Sequence, residues 1–183
     1  MKEFDLHLHV KTMEGDKLLL LLHELTGIKE TVQTRSACIE KEDLLAGTDC
    51  DPDYLVITQS EEDWYCIRHN TFKKLYHWGQ LLSRALDTLF LQVAYRSTDS
   101  YSYFLAYKRG VRIREIEANR LSEIPLLNEG ILFPFEDPHA DGVSGFDIRM
   151  FDRDSLEDYC IECGVDLHSL QLSYDSQVIK REN

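Results

Sequence analysis

The sequence lacks a long apolar run, and this absence bounds where the protein can function. Its longest unbroken apolar stretch is five leucines, Leu18 to Leu22. A membrane-spanning helix needs about 20 such residues. The segment after Lys2 also lacks the apolar core of a secretion signal. We therefore expect a cytoplasmic protein that has no membrane partner.

The number and spacing of the cysteines indicate neither a disulfide framework nor a zinc site. There are five cysteines, and an odd count is not a disulfide framework. Cys160 and Cys163 form a C-x-x-C pair near the end of a predicted helix, where the helix dipole disfavours a thiolate. We interpret this pair as small apolar helix residues, and we expect no cofactor.

Basic residues are scarce and unevenly spread. The chain has 20 Lys and Arg against 33 Asp and Glu, a net charge of −13. Residues 84–120 hold seven basic and four acidic side chains, whereas residues 121–183 hold four basic and fourteen acidic ones. Such a surface repels phosphate backbones, so we expect no nucleic-acid partner. A basic protein partner is favoured, because complementary charge speeds association.

Three strand-like runs between Leu89 and Glu117 identify the fold class. Alternate residues share a face in each run, and STDS and Lys108-Arg109-Gly110 supply the turns. The alternation slips after Ile113, which indicates a bulge or a strand end there. We predict one α+β domain over residues 1–183: a mostly antiparallel sheet centred on this meander (about 88–117), with helices at 16–26 and 71–87 on one face, as two layers.

Other segments have clear but less specific patterns. Residues 4–10 alternate as a half-buried strand, and YLVIT and WYCIR flank an acidic loop as a hairpin. A last helix is predicted from a cap at Asp152 or Asp154 to about Cys163. Residues 118–148 are mostly irregular, but their apolar side chains predict an ordered loop that buries them: Ile131, Leu132, Phe133 and Phe135.

The strongest catalytic candidate is the D-L-H-L-H sequence from Asp5 to His9. Strand periodicity places Asp5, His7 and His9 on one face, and imidazole suits zinc, iron or manganese. The motif resembles the H-x-H that opens the polymerase-and-histidinol-phosphatase phosphoesterases and the amidohydrolases. The resemblance covers five residues and implies a metal-dependent hydrolase. Met13-Glu14-Gly15 stands where the first family usually shows Ser-Asp-Gly, and the simpler interpretation is the polar face of an edge or solvent-facing strand.

A second candidate is the loop E-D-P-H-A-D-G. It gathers oxygen and nitrogen ligands of the kind that calcium loops use, without the spacing of an EF-hand. Pro138 and Gly142 also make it a plain acidic turn. The possible ligands are Glu136, Asp137, His139 and Asp141.

A broader resemblance concerns the order of elements over about residues 78–137. The pieces LLSRAL, STDSYSYFLAYKRG and LFPFEDP resemble a pattern that recurs in uncharacterised bacterial proteins. These motifs are a turn and a meander. The resemblance implies a bacterial protein and no activity.

Three functional hypotheses follow from the sequence. The first is a non-catalytic protein-binding module of the bacterial cytosol, such as an acidic immunity or inhibitor protein. The second is the metal-dependent hydrolase, with Asp5, His7 and His9 at the metal. The third is a homo-oligomer or small-ligand protein. The arginines of the meander either pair with acidic segments of the same chain or present a local positive patch to an acidic ligand or a second subunit. The candidate binding residues are Glu61, Glu62, Asp63, Arg96, Arg112, Arg114, Glu136 and Asp137.

Overall fold

The described strands join in one antiparallel sheet. A computed structural model describes residues 4–35, 50–59, 63–119, 126–136, 151–167 and 175–181. Within those ranges nine strands run in the order β2-β9-β3-β4-β1-β5-β6-β7-β8, and each neighbouring pair is antiparallel. The predicted α+β class with a mostly antiparallel sheet is confirmed. The strands are β1 Phe4–Lys11, β2 Thr31–Arg35, β3 Tyr54–Gln59, β4 Trp64–His69, β5 Leu89–Arg96, β6 Tyr101–Lys108, β7 Val111–Asn119, β8 Leu127–Gly130 and β9 Asp175–Lys180.

The centre of the sheet is β1 rather than the meander. Strand β1 lies between β4 and β5, with four strands on either side among those described. The meander β5-β6-β7 is present as predicted, but it occupies one half of the sheet. The interpretation of β1 as an edge or solvent-facing strand is therefore wrong. The reason is long-range: β4 and β5 come from distant parts of the chain and cover both sides of β1.

Two helices pack on one face of the sheet, as predicted. Helix α1 (Gly15–Thr26) and helix α2 (Tyr76–Ala85) bury Leu22 and Leu82 against the sheet. Helix α1 ends at Gly27, whose positive φ of 69° suits glycine. No helix within the described ranges has both the length and the apolar content to cross a membrane. The strand residues of this core are Leu6, Leu8, Val10, Leu55, Ile57, Ile67, Phe90, Ala94, Tyr103, Leu105, Tyr107 and Ile179.

The opposite face has its own helix, so the two-layer expectation is corrected to layers on both sides. Helix α3 (Arg153–Glu162) begins at Asp152, whose side chain accepts a hydrogen bond from Ser155 N at 3.1 Å. This N-cap is one of the two that the sequence predicted. The buried side chains of α3 are Leu156, Tyr159 and Cys160. They pack against apolar side chains of β5, β6 and β7. The sheet is therefore buried on both faces over the meander.

Helix α2 begins five residues later than its apolar spacing suggests. The side chain of Gln92 on β5 accepts a hydrogen bond from Leu75 N at 2.8 Å. Its amide donates to the carbonyl of Lys73 at 2.9 Å. Because a strand side chain holds the backbone at 73–75, the helix starts at Tyr76. A local pattern cannot reveal such a long-range contact.

The meander agrees closely with the sequence up to its last strand. In the turn after β6, Arg109 and Gly110 both have positive φ, as in the tight turns that favour hairpins. The register shifts between Ala106 and Tyr107, which pair with Arg114 and Arg112, so Ile113 is the extra residue of a bulge. Strand β7 continues beyond the bulge to Asn119 and pairs with β8.

Candidate functional site

Histidines of β1 and a cysteine of β4 meet on the sheet face opposite α1 and α2. His7 and His9 lie two residues apart on β1, so both rings project to the same side. Antiparallel pairing places Cys66 directly opposite His9. One possible ligand atom from each of these three side chains lies within 4.8 Å of the others. The register of two strands thus builds a compact His-His-Cys cluster.

The cluster is largely sealed from solvent. His9 is fully buried, Cys66 is 3% exposed and His7 is half-buried. The two imidazole rings are 5.7 Å apart between centroids and inclined at 65°. Burial, followed by the nearby His7 ring, holds the pKa of His9 well below its ordinary value. His9 is therefore neutral near pH 7, which leaves one ring nitrogen with a lone pair.

Neither ring nitrogen of His9 makes a hydrogen bond to any described residue. A buried polar atom without a partner costs about 1–3 kcal/mol, and native proteins contain few of them. A lone pair in a buried site beside a thiol and a second imidazole is suited to holding a cation.

Asp5, the third residue proposed from the sequence, is a residue of β1 at the position that pairs with Tyr95 of β5. The hydrolase families that the motif resembles use ligands on successive strands of a barrel. Here the described strands form an open antiparallel sheet. The described strands therefore do not form the barrel on which those families place their ligands.

The four meander arginines that we considered as a positive patch point to carboxylates of the same chain. Arg96 pairs with Asp99 through Nε and Nη2, and its guanidinium lies 5.4 Å from the Tyr101 ring centre. Arg109 pairs with Asp87 at 2.9 Å on the surface.

The other two arginines pair on either side of β7. Arg112 contacts Glu115 at 2.5 Å and Glu129 at 2.9 Å. Arg114 pairs with Glu136 deep in the protein, where their side chains are 1% and 2% exposed. All four arginines thus pair with carboxylates of the same chain, which is the first of the two roles proposed for them.

The acidic candidates are dispersed. Asp63 precedes β4 with a positive φ of 68°, and its carbonyl accepts a hydrogen bond from Thr12 N at 2.7 Å. Glu136 is the buried partner of Arg114. Outside the described residues lie Glu61, Glu62, Asp137, His139 and Asp141.

A second polar cluster surrounds Glu115 on the α2 side of the sheet. Its carboxylate is fully buried and accepts hydrogen bonds from Tyr76 at 2.7 Å and Tyr103 at 3.1 Å. Burial, followed by the Glu115 charge, raises the pKa of Tyr103, so this phenol remains a donor. With Arg112 the carboxylate has three donors. The hydrogen-bonding capacity of the Glu115 carboxylate is therefore used within the cluster, and the cluster gives no indication of a ligand.

Several apolar side chains next to β8, the last strand in the sheet order, are exposed to solvent. Ile131 is 72% exposed and Leu132 is 55% exposed, although their composition predicted burial. Phe133 of that segment packs into the core around α3, and the centre of the Phe135 ring lies 4.8 Å from that of the Tyr159 ring on α3. We call the exposed apolar residues that directly flank β8 the edge strip; they are Leu126, Ile131 and Leu132.

The edge strip borders the outer edge of β8. Strand β8 ends the sheet order, and no described strand pairs with its outer side. Ile131 N donates to the Ile113 carbonyl at 2.7 Å. The backbone N–H and C=O groups of odd-numbered residues in and next to β8 therefore point toward β7. By alternation, the N–H groups of Asn128 and Gly130 point outward. An open strand edge beside exposed apolar side chains is a surface suited to a partner.

The C-x-x-C pair behaves as the sequence analysis proposed. Cys160 is fully buried on α3, and Cys163 caps the helix. Burial raises the pKa of both thiols, that of Cys163 to about 12. Both thiols therefore stay protonated and unreactive near neutral pH.

Sequence reasoning missed Cys66 as a partner of the two histidines. The alternation of W-Y-C-I-R places Cys66 and Arg68 on one face of β4. However, only the pairing of β4 with β1 shows that this face is shared with His9. Comparison with protein-family models, with curated proteins and with solved structures gave no match for this chain.

Proposed function

We propose that this protein is a non-catalytic module of the bacterial cytosol that binds a basic protein, in the manner of an immunity or inhibitor protein. The observation that carries the proposal is the edge strip. Ile131 and Leu132 are adjacent, mostly exposed and next to a strand edge with which no described strand pairs. Proteins rarely leave such an edge uncovered, because it invites pairing with another chain.

The mode of binding follows from the geometry of β8. An extended segment of the partner adds to the outer side of β8 and bonds to its outward N–H and C=O groups. Its apolar side chains cover Ile131 and Leu132. Backbone pairing supplies affinity in this mode, and the side-chain contacts supply specificity.

The sign of the partner's charge follows from the distribution of the chain's own charges. Residues 121–183 carry fourteen acidic and four basic side chains, and they include β8 and the edge strip. Two meander arginines neutralise carboxylates of this segment, since Arg112 pairs with Glu129 and Arg114 with Glu136, but an excess of acidic side chains remains there. A basic surface is therefore attracted to this end of the molecule.

The test uses paired variants in affinity capture from cells that carry the gene naturally. Replacing Ile131→Ser and Leu132→Ser together removes the apolar contact without changing charge, and Asn128→Pro removes an outward donor. Leu20→Ser is the matched control, since Leu20 is 65% exposed on α1, away from β8. We expect the edge variants to reduce capture of one basic protein by roughly tenfold or more.

Salt provides the second arm of the test. Capture of a basic partner should weaken strongly at about 0.5 M salt, where the screening length is a few ångströms. An acidic partner, or capture that the edge variants and salt both leave unchanged, contradicts the proposal. A chain that pairs with itself through β8 would instead appear as a dimer that the same variants disrupt, and it would support the homo-oligomer hypothesis.

A further inference from the structure

We infer that His7, His9 and Cys66 form a binding site for a transition-metal ion of the zinc type. This site is independent of the proposed protein-binding surface, which lies at the far end of the sheet on β8. It differs from the set suggested by the sequence, because a thiol of β4 takes part.

Strand register is what brings the three side chains together. His9 and Cys66 are direct cross-strand partners, and His7 is one two-residue step along the same face. Directly opposed side chains have Cβ atoms about 4.5–5.5 Å apart. The ligand atoms lie within 4.8 Å of one another. Around a tetrahedral zinc ion, bond lengths of about 2.0–2.3 Å separate the ligand atoms by roughly 3.3–3.6 Å, so closure by about an ångström suffices.

The burial of His9 is the second, independent observation. Its side chain is fully buried, and neither ring nitrogen has a hydrogen-bond partner among the described residues. A metal bond would satisfy one of these nitrogens where the packing offers no donor.

The donor set indicates the class of ion. Two imidazoles and a thiolate suit zinc, cobalt and copper, whereas magnesium and calcium require oxygen ligands. Three protein ligands leave one position of a tetrahedral ion for a group from outside the cluster.

Binding has a definite proton and charge balance. The Cys66 S–H bond breaks, its proton passes to solvent, and the sulfur electron pair bonds the ion. Two neutral imidazoles, one thiolate and a divalent ion carry a net charge of plus one. The thiolate thus halves the repulsion from Arg68, which lies opposite His7 on β4.

Cobalt titration of the tag-free, reduced full chain tests the site. Co²⁺ is used as the probe because a cobalt–thiolate bond gives a sulfur-to-metal charge-transfer absorption. We expect this band to saturate at one ion per chain and to vanish in Cys66→Ala. His9→Ala should weaken binding by at least the roughly 10–100-fold that losing an outer-shell partner costs. Cys50→Ala and His77→Ala change exposed residues and should leave the titration unchanged.

A measurement on the wild type avoids dependence on how the variants fold. The zinc complex is examined by X-ray absorption, and one sulfur at about 2.3 Å with nitrogen at about 2.0 Å is expected. Absence of the cobalt band, its persistence in Cys66→Ala, or a zinc shell of nitrogen and oxygen alone would overturn the inference.

Discussion

Arg114 and Glu136 form a two-point ion pair inside the protein. Nη2 of Arg114 lies 2.5 Å from Oε1 of Glu136, and Nε lies 3.1 Å from Oε2. The same carboxylate accepts a hydrogen bond from Phe133 N at 2.7 Å. Arg114 also donates to the Glu129 carbonyl at 2.9 Å. The pair therefore fastens the segment that carries the edge strip to the bulged strand β7.

Removing one member of this pair should be strongly destabilising. Arg114→Met leaves the Glu136 carboxylate buried without its cation, and breaking a buried pair in this way costs about 3–5 kcal/mol. The double replacement Arg114→Met with Glu136→Leu should recover much of the loss. Urea unfolding measures both changes in the free energy of unfolding.

The matched control for the ion pair is Lys17→Met. Lys17 and Glu14 are joined at 2.7 Å, but their side chains are 48% and 57% exposed. Such pairs contribute about 0–1 kcal/mol. If Arg114→Met costs no more than Lys17→Met, the buried pair does not fasten the segment as described.

Gly79 should not tolerate alanine, although alanine favours helices by about 1 kcal/mol over glycine. A Cβ at this position of α2 would lie 2.6 Å from Cδ2 of Tyr107 and 3.0 Å from Cε1 of Phe90. Both rings belong to the core, and overpacking a core costs about 1–3 kcal/mol. We expect Gly79→Ala to lower the melting temperature.

The comparison for Gly79 is Gln80→Ala at the next, exposed position of the same helix. It should leave the melting temperature nearly unchanged or slightly raised. An increase in melting temperature for Gly79→Ala would show that propensity outweighs packing here.

Acid should destabilise the protein partly through His69. Burial, and next the His7 ring, lower the pKa of His69 to about 3 in the folded chain. The ordinary value is about 6.5, so between these two pH values the unfolded chain binds a proton that the folded chain excludes. Stability is therefore fully present above pH 6.5 and falls by up to about 1.4 kcal/mol per pH unit on acidification.

The measurement is the free energy of unfolding against pH for wild type and His69→Gln. The variant should have a shallower slope below pH 6.5 by about one proton. The variant should keep the part of the pH dependence that comes from His9, which is also buried. His77→Gln, at an exposed histidine, should follow the wild type. Equal slopes for His69→Gln and wild type would contradict the burial mechanism.

The sequence by itself determined which side chains share a face. The alternation in β1 and in the meander is local, because successive strand residues point to opposite sides. The same holds for α1 and for a cap at Asp152 or Asp154, of which the structure shows Asp152. These features depend only on neighbours in the chain, so a pattern in the sequence predicts them.

Only the tertiary structure decided which faces meet. It placed β1 at the centre of the sheet, set Cys66 opposite His9, joined Arg114 to Glu136 across 22 residues and left Ile131 exposed. Each of these results depends on strand order and register. Those are chosen by the packing of distant segments, and one residue of slip would turn every side chain to the other face.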